Sequence, residues 1–175
     1  PLRVSAQSYE QMWKQVEALE QKQLPESAIK ELQKIYEHAK QEKNMPQMMK
    51  AHLTKASLSI DITPDSLDRE LSGLKTWVAE EKDPVYKAIL NHLLGYYTLD
   101  TGKRDEAAID AAIAYFRLSL QDKDLLSRKS AADYRPMTVS KELSGKYCGD
   151  NMYQLLARQA ISRLSGYFIV NPVLA

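Results

Sequence analysis

Residues 91–120 read NHLLGYYTLDTGKRDEAAIDAAIAYFRLSL, and this stretch decides the fold. Its apolar side chains recur with a helical period, stop near Gly102 and resume at Ile109. Gly102 can adopt the left-handed conformation that ends a helix, and Asp105 can cap the next helix. Small residues such as Gly95 allow two helices to approach closely. The stretch therefore predicts an α-helical hairpin.

Helix-start signals also recur toward the N-terminus. Ser8 and Gln11 have the spacing of a capping box, which predicts the beginning of a first helix. Proline is tolerated in the first turn of a helix, and it occurs at four further expected helix starts: Pro25, Pro46, Pro64 and Pro84. The clearest break is residues 61–65, where Thr63 is expected to cap a helix that begins at Pro64. We therefore predict an all-α fold in which antiparallel helical hairpins stack over residues 8–120.

The following segment has a different character. Residues 121–150 are charged, contain proline and glycine, and show no sustained hydrophobic period. They predict a long, loop-rich connection with a short helix around residues 124–130. This connection is expected to pack across the helical stack or to serve as a binding segment.

The C-terminal part is predicted to contain one more helix. Asp150 or Asn151 is expected to cap a final helix over residues 151–165. The aromatic and β-branched run after Gly166 favours an extended tail over residues 166–175. The whole chain, residues 1–175, is interpreted as a single helical domain. Because it lacks an initiator methionine and ends on an apolar tail, we expect it to be a fragment of a larger protein.

Composition excludes several classes of function. The net charge of +1 argues against binding to nucleic acid or to an anionic membrane surface. Cys148 is the single cysteine, so an intramolecular disulfide is excluded. No apolar run approaches the roughly 18 residues of a transmembrane helix, so the chain is predicted to have no membrane-spanning segment.

Residues that could carry chemistry are few. His38, His52 and His92 lie far apart in sequence, without the spacing of a zinc-binding helix, and they are expected to be core or boundary residues. Cys148 has no histidine placed nearby, so it is expected to be a plain thiol. We therefore predict no metal, no cofactor and no enzymatic activity. A small helical enzyme would need converging histidine or carboxylate pairs that the sequence does not display.

Aromatic residues provide the candidate binding site. Tyr96 and Tyr97 are adjacent on one helix, so at most one faces fully inward and the other can line a groove. Tyr134 and Arg135 lie on the loop-rich connection and are residue types enriched at interface hot spots. Tyr97, Tyr134 and Arg135 are thus the predicted partner-binding residues, although packing against the helices is the competing interpretation.

The hairpin resembles a tetratricopeptide unit. Five residues match the positions of its leucine–glycine pair, turn glycine and small residues: Leu94, Gly95, Gly102, Ala107 and Ala114. Thr98 and Ala111 stand where the pattern has a tyrosine and a large aromatic residue, so the unit is degenerate. The resemblance implies a tetratricopeptide-like, right-handed array of hairpins.

Three segments together resemble a more specific family. They are residues 24–44 (LPESAIKELQKIYEHAKQEKN), 122–137 (DKDLLSRKSAADYRPM) and 152–161 (MYQLLARQAI). In this order they are similar to the N-terminal helical region of large alpha-2-macroglobulin-like envelope proteins of Bacteroidetes. The resemblance implies an exported protein in the periplasm or cell envelope, lipid-anchored through a segment missing here. It also implies a protease trap or colonisation factor in which β-sandwich domains follow this region.

The resemblance assigns no chemistry to these residues. The trapping reaction of the family uses a Cys-x-Glu-Gln thioester motif, whereas Cys148 is followed by Gly149, Asp150 and Asn151. We therefore expect a non-catalytic interaction or scaffolding module whose partner is another protein or the downstream domains of the same chain. The alternative is a helical envelope lipoprotein domain that captures a glycan or a peptide through its tyrosines.

Overall fold

The computed structural model describes residues 8–63, 66–99, 105–134 and 149–170. Its helices are α1 (Tyr9–Gln21), α2 (Pro25–Glu42), α3 (Met45–Ile62), α4 (Ser66–Glu80), α5 (Pro84–Thr98), α6 (Glu106–Ser119), α7 (Lys123–Ser127), α8 (Ala131–Tyr134) and α9 (Met152–Val170). No β-strand occurs in these residues, although an isolated antiparallel bridge joins Ser130 to Asn151. The all-α prediction is confirmed, and the tetratricopeptide-like stacking stays a prediction.

The chain divides into two compact units where the sequence predicted a single domain. Unit 1 is Pro1–Ser66 and unit 2 is Leu67–Ala175. The boundary adjoins the predicted break at residues 61–65. Thr63 ends α3, where its N–H donates to the Ser59 carbonyl at 2.9 Å, and its own carbonyl accepts from the Ser66 N–H of α4 at 2.8 Å. Pro64 lies outside the described residues.

Unit 1 is built from α1, α2 and α3. The predicted capping box is confirmed at 3.3 Å for both bonds, because Ser8 Oγ accepts from the Gln11 N–H and Gln11 Oε1 accepts from the Ser8 N–H. The unit's core cluster is apolar and contains Val16, Ala28, Leu32, Ile35 and Ala51. Trp13 Nε1 donates to Gln47 Oε1 at 2.8 Å, so α1 is joined to α3 as well as to α2.

Unit 2 is organised around α5. Asp83 caps this helix by accepting from the N–H groups of Val85 and Tyr86, and Asp105 caps α6 as predicted, accepting from the Ala108 N–H at 2.8 Å. Helices α5 and α6 form an antiparallel pair whose side chains bury most of α5. The predicted helical hairpin is therefore confirmed, whereas its turn glycine, Gly102, lies outside the described residues.

The C-terminal helix is longer than the sequence predicted. Asn151 caps it as expected, accepting from the Gln154 N–H at 3.0 Å. The prediction of an extended tail beginning at residue 166 is wrong for residues 166–170, which continue α9. The physical reason is tertiary, because Leu164, Tyr167 and Phe168 pack against the α5–α6 core. Residues 171–175 lie outside the described part of the chain.

The loop-rich connection is partly helical. The short helix expected around residues 124–130 is present as α7, which Asp122 caps by accepting from the Leu125 N–H at 3.1 Å. The four-residue α8 follows it. Residues 135–148, which include Cys148, lie outside the described residues.

Alanine substitutions at two mid-helix glycines are expected to change stability in opposite directions. A Cβ on Gly95 would lie 2.8 Å from two carbons of the Phe116 ring and 3.1 Å from the Ala112 carbonyl oxygen. Because α6 would have to shift, we expect Gly95→Ala to lower the free energy of unfolding by about 1–3 kcal/mol. The matched control is Gly73→Ala in α4, where no atom lies within 4 Å. It should raise the free energy of unfolding by about 0.5–1 kcal/mol through helix propensity.

Urea unfolding followed by circular dichroism measures both changes. The close-approach explanation is contradicted if the two glycine-to-alanine variants shift the midpoint in the same direction.

Candidate functional site

A groove of about 540 Å³ lies in unit 2 between α4, the first half of α5 and the end of α6. Nine residues line it: Val78, Pro84, Lys87, Ala88, Asn91, Leu118, Ser119, Gln121 and Asp122. The α5 residues among them recur at helical spacing, so one face of the first half of α5 forms a wall of the groove. Because α5 and α6 are antiparallel, the start of one helix lies beside the end of the other, and the groove opens at that end of the pair.

The floor of the groove is polar although it is buried. Asn91 is 6% exposed, and its Nδ2 donates to the Lys87 carbonyl at 3.0 Å, one turn earlier in α5. Among the described residues no hydrogen bond reaches Asn91 Oδ1. Ser119 is fully buried and donates from Oγ to the Phe116 carbonyl at 2.7 Å. Because Oδ1 and one Nδ2 hydrogen of Asn91 are unused within the described part of the chain and Asn91 lines the groove, a ligand in the groove can form hydrogen bonds with this amide.

The rim combines one apolar side chain with two opposite charges. Leu118 is 51% exposed, which makes it one of the most exposed large apolar residues described. Lys87 is exposed on α5, and no ion pair to it is present within the described residues. Asp122 is exposed on the turn between α6 and α7. The groove thus offers an apolar contact flanked by a cation and an anion.

The predicted binding residue Tyr97 is not on an open surface. It is 6% exposed, and burial raises its pKa, with further increases from Tyr96 and the Glu70 carboxylate. Tyr96 is the half-exposed member of the pair, and the Arg163 guanidinium lies 4.2 Å from its ring centroid. The expectation that only one of the two tyrosines faces inward holds. The residue chosen for partner contact, however, is the one packed into the core.

The other two predicted binding residues are away from the groove lining. Tyr134 is half-buried in α8, and its ring meets the Tyr86 ring edge-on with centroids 6.2 Å apart. Arg135 lies outside the described residues. The sequence interpretation missed Asn91 and Leu118, which line the groove. Two features of the sequence could have indicated them. Asn91 is a polar residue one turn after Ala88 on α5, and Leu118 lies outside the apolar stripe of α6.

The three histidines occupy separate environments. His38 lies 3.4 Å from a Glu42 carboxylate oxygen on the surface of unit 1, beside Tyr9. Burial lowers the pKa of His52 to about 4, and the charge of Lys55 adds to this effect. Within the described ranges, no three histidine, cysteine, aspartate or glutamate side chains are grouped closely enough to hold a metal ion.

His92 is the most enclosed of the three. It is fully buried in unit 2, where its ring lies 5.3 Å from the Phe116 ring. Burial lowers its pKa to about 4, while the neighbouring Gln159 side chain of α9 acts in the opposite direction. His92 is therefore a neutral core residue that connects α5 with both α6 and α9.

A tyrosine–carboxylate contact joins the ends of α1 and α2 in unit 1. Tyr9 donates from its hydroxyl to Glu42 Oε2 at 2.6 Å. Burial and this bond to a carboxylate together raise the pKa of Tyr9 to about 12. Because the pair is close to the surface, we interpret it as a contact that aligns two helices and not as a reactive centre.

Comparison with known proteins gives no relative for this chain, since no family model, no curated protein and no solved structure matches it. The described helices include none that is both long enough and apolar enough to cross a bilayer.

Because two histidines are buried, we expect the folded state to lose stability in mild acid. Their folded pKa values near 4 lie below the 6.5 of the unfolded chain, so below about pH 6.5 the unfolded state takes up protons that the folded state excludes. Stability should be full above that pH and should fall toward pH 4. The loss at His92 is roughly 3 kcal/mol, because each unit of pKa difference corresponds to about 1.4 kcal/mol.

Urea unfolding at about pH 7.5 and about pH 5 tests this linkage. His92→Gln and His52→Gln should each reduce the difference between the two midpoints, since each removes one excluded proton. Unchanged pH dependence in both variants would show that other groups are responsible.

Proposed function

We propose that this chain is a non-catalytic interaction module that binds a segment of a protein partner in the groove of unit 2. The observation that carries the proposal is the coincidence of an exposed leucine, Leu118, with a buried amide, Asn91, that has an unused acceptor. Leu118 lies at the edge of a concave surface, where an apolar side chain can contact a bound ligand. A buried polar floor favours an occupant with hydrogen-bonding groups of its own.

The setting of this module is also part of the proposal. The three segments at residues 24–44, 122–137 and 152–161 support an origin in an exported alpha-2-macroglobulin-like protein of the bacterial envelope. In that setting the occupant of the groove belongs to another envelope protein or to a following domain of the same chain. Export, lipid anchoring and a role in protease trapping rest on that resemblance.

Capture of a glycan through the tyrosines is the less favoured function. Glycan recognition by stacking needs an open aromatic face, whereas Tyr97 is buried and Arg163 lies over Tyr96. Peptide capture, the other possibility in that alternative, is retained, but we place the peptide in the groove and not on the tyrosines.

Peptide selection on the purified chain, with two matched leucine variants, tests the groove. Peptides from a random phage-displayed library should bind wild-type protein, and Leu118→Glu should weaken that binding by about tenfold or more, because a carboxylate would replace the apolar contact. Leu24→Glu is the control, since Leu24 is a similarly exposed leucine (46%) in unit 1. It should leave the affinity unchanged.

Fluorescence polarisation with the selected peptides provides the affinities, and circular dichroism verifies that both variants fold. The proposal fails if no peptide is recovered whose binding depends on Leu118, or if the two glutamate variants bind alike.

A further inference from the structure

We infer that the occupant of the groove is an extended peptide, held through its backbone by Asn91, with an acidic residue at Lys87 and a basic residue at Asp122. This inference rests on the proposed function of the groove and specifies the chemistry of its partner. The three residues lie on two sides of one cavity: Lys87 and Asn91 on α5, and Asp122 on the turn after α6.

The hydrogen-bonding state of Asn91 selects the backbone conformation of the occupant. One Nδ2 hydrogen is used by the bond to the Lys87 carbonyl, which leaves the second Nδ2 hydrogen and Oδ1. A free donor beside a free acceptor matches one C=O and one N–H of a peptide backbone. A helical partner satisfies these groups internally, whereas an extended segment presents them to its surroundings.

The walls of the groove accommodate an apolar side chain of the same segment. The apolar lining of the groove comes from three helices: Val78 of α4, Pro84 and Ala88 of α5, and Leu118 of α6. In an extended chain, alternate side chains point to the same side. One apolar side chain can therefore enter the cavity while the neighbouring peptide unit pairs with Asn91.

The two opposite charges at the rim favour one orientation of the bound peptide along the groove. Lys87 lies one helical turn from Asn91, and Asp122 lies across the groove on the α6–α7 turn. Asp122 Oδ1 already accepts the Leu125 N–H, so its remaining oxygen is the one available to a ligand cation. A peptide with its acidic and basic residues in one order satisfies both charges, and the reversed order places like charges together.

Backbone methylation of a selected peptide tests the role of Asn91 without altering the protein. Replacing each peptide N–H in turn with N–CH₃ should identify one position at which affinity for wild-type protein falls by about tenfold, the loss expected for a buried hydrogen bond. Asn91→Leu, a substitution of similar size, should bind the unmodified peptide more weakly. It should also no longer discriminate against methylation at that position. Asn91→Gln, which retains the amide, provides the second variant if Asn91→Leu unfolds.

Exchange of the acidic and basic residues in the peptide tests the direction. The exchanged peptide should bind wild-type protein more weakly, and Lys87→Glu combined with Asp122→Lys should restore its binding. Lys123→Glu, at an adjacent exposed position outside the groove lining, is the matched control and should not restore it.

The outcomes separate this inference from the proposed function. If helix-promoting substitutions in the peptide tighten binding and methylation of no N–H weakens it, the extended-peptide inference is overturned while dependence on Leu118 still supports the groove. If binding does not depend on Leu118, the proposed function itself fails.

Discussion

The close approach of α5 and α6 at Gly95 is the constraint on which unit 2 depends. The absent side chain lets the Phe116 ring and the Ala112 carbonyl approach the α5 backbone, so the two helices pack closely in their middle. That contact sets the register of the pair and places Phe116 against His92. It also brings the start of α5 beside the end of α6, where the two helices and α4 leave the groove open. The candidate site is thus a consequence of how the hairpin closes.

Buried polar groups have two roles in this unit. His92 is enclosed with Phe116 and Gln159, where it helps to join α9 to the hairpin and remains neutral because burial lowers its pKa. Asn91 is the next residue toward the N-terminus, but it faces the groove and keeps part of its hydrogen-bonding capacity. Adjacent helical residues point about 100° apart, so neighbouring polar side chains can belong to the core and to a binding surface. Sequence position alone does not separate these roles.

Much of the local structure was predictable because its causes are local. The capping box at Ser8, the caps at Asp83, Asp105 and Asn151, and the glycine at the hairpin contact follow from chemistry within a few residues of each feature. The extended tail was predicted wrongly because residues 167–170 favour strand locally, whereas they continue α9, in which Tyr167 and Phe168 pack against the α5–α6 core. Tyr97 was chosen as a binding residue because periodicity could not decide which of two adjacent tyrosines faces inward.

The sequence by itself determined the helices, their caps and the all-α class, since helical periodicity and hydrogen bonds between near neighbours are encoded in consecutive residues. It also contained the net charge of +1. Only the tertiary structure decided the division into two units, the continuation of α9 and the composition of the groove. Those features depend on which distant residues meet. A cavity lined by Asn91 and Leu118 exists only once α5 and α6 have packed side by side.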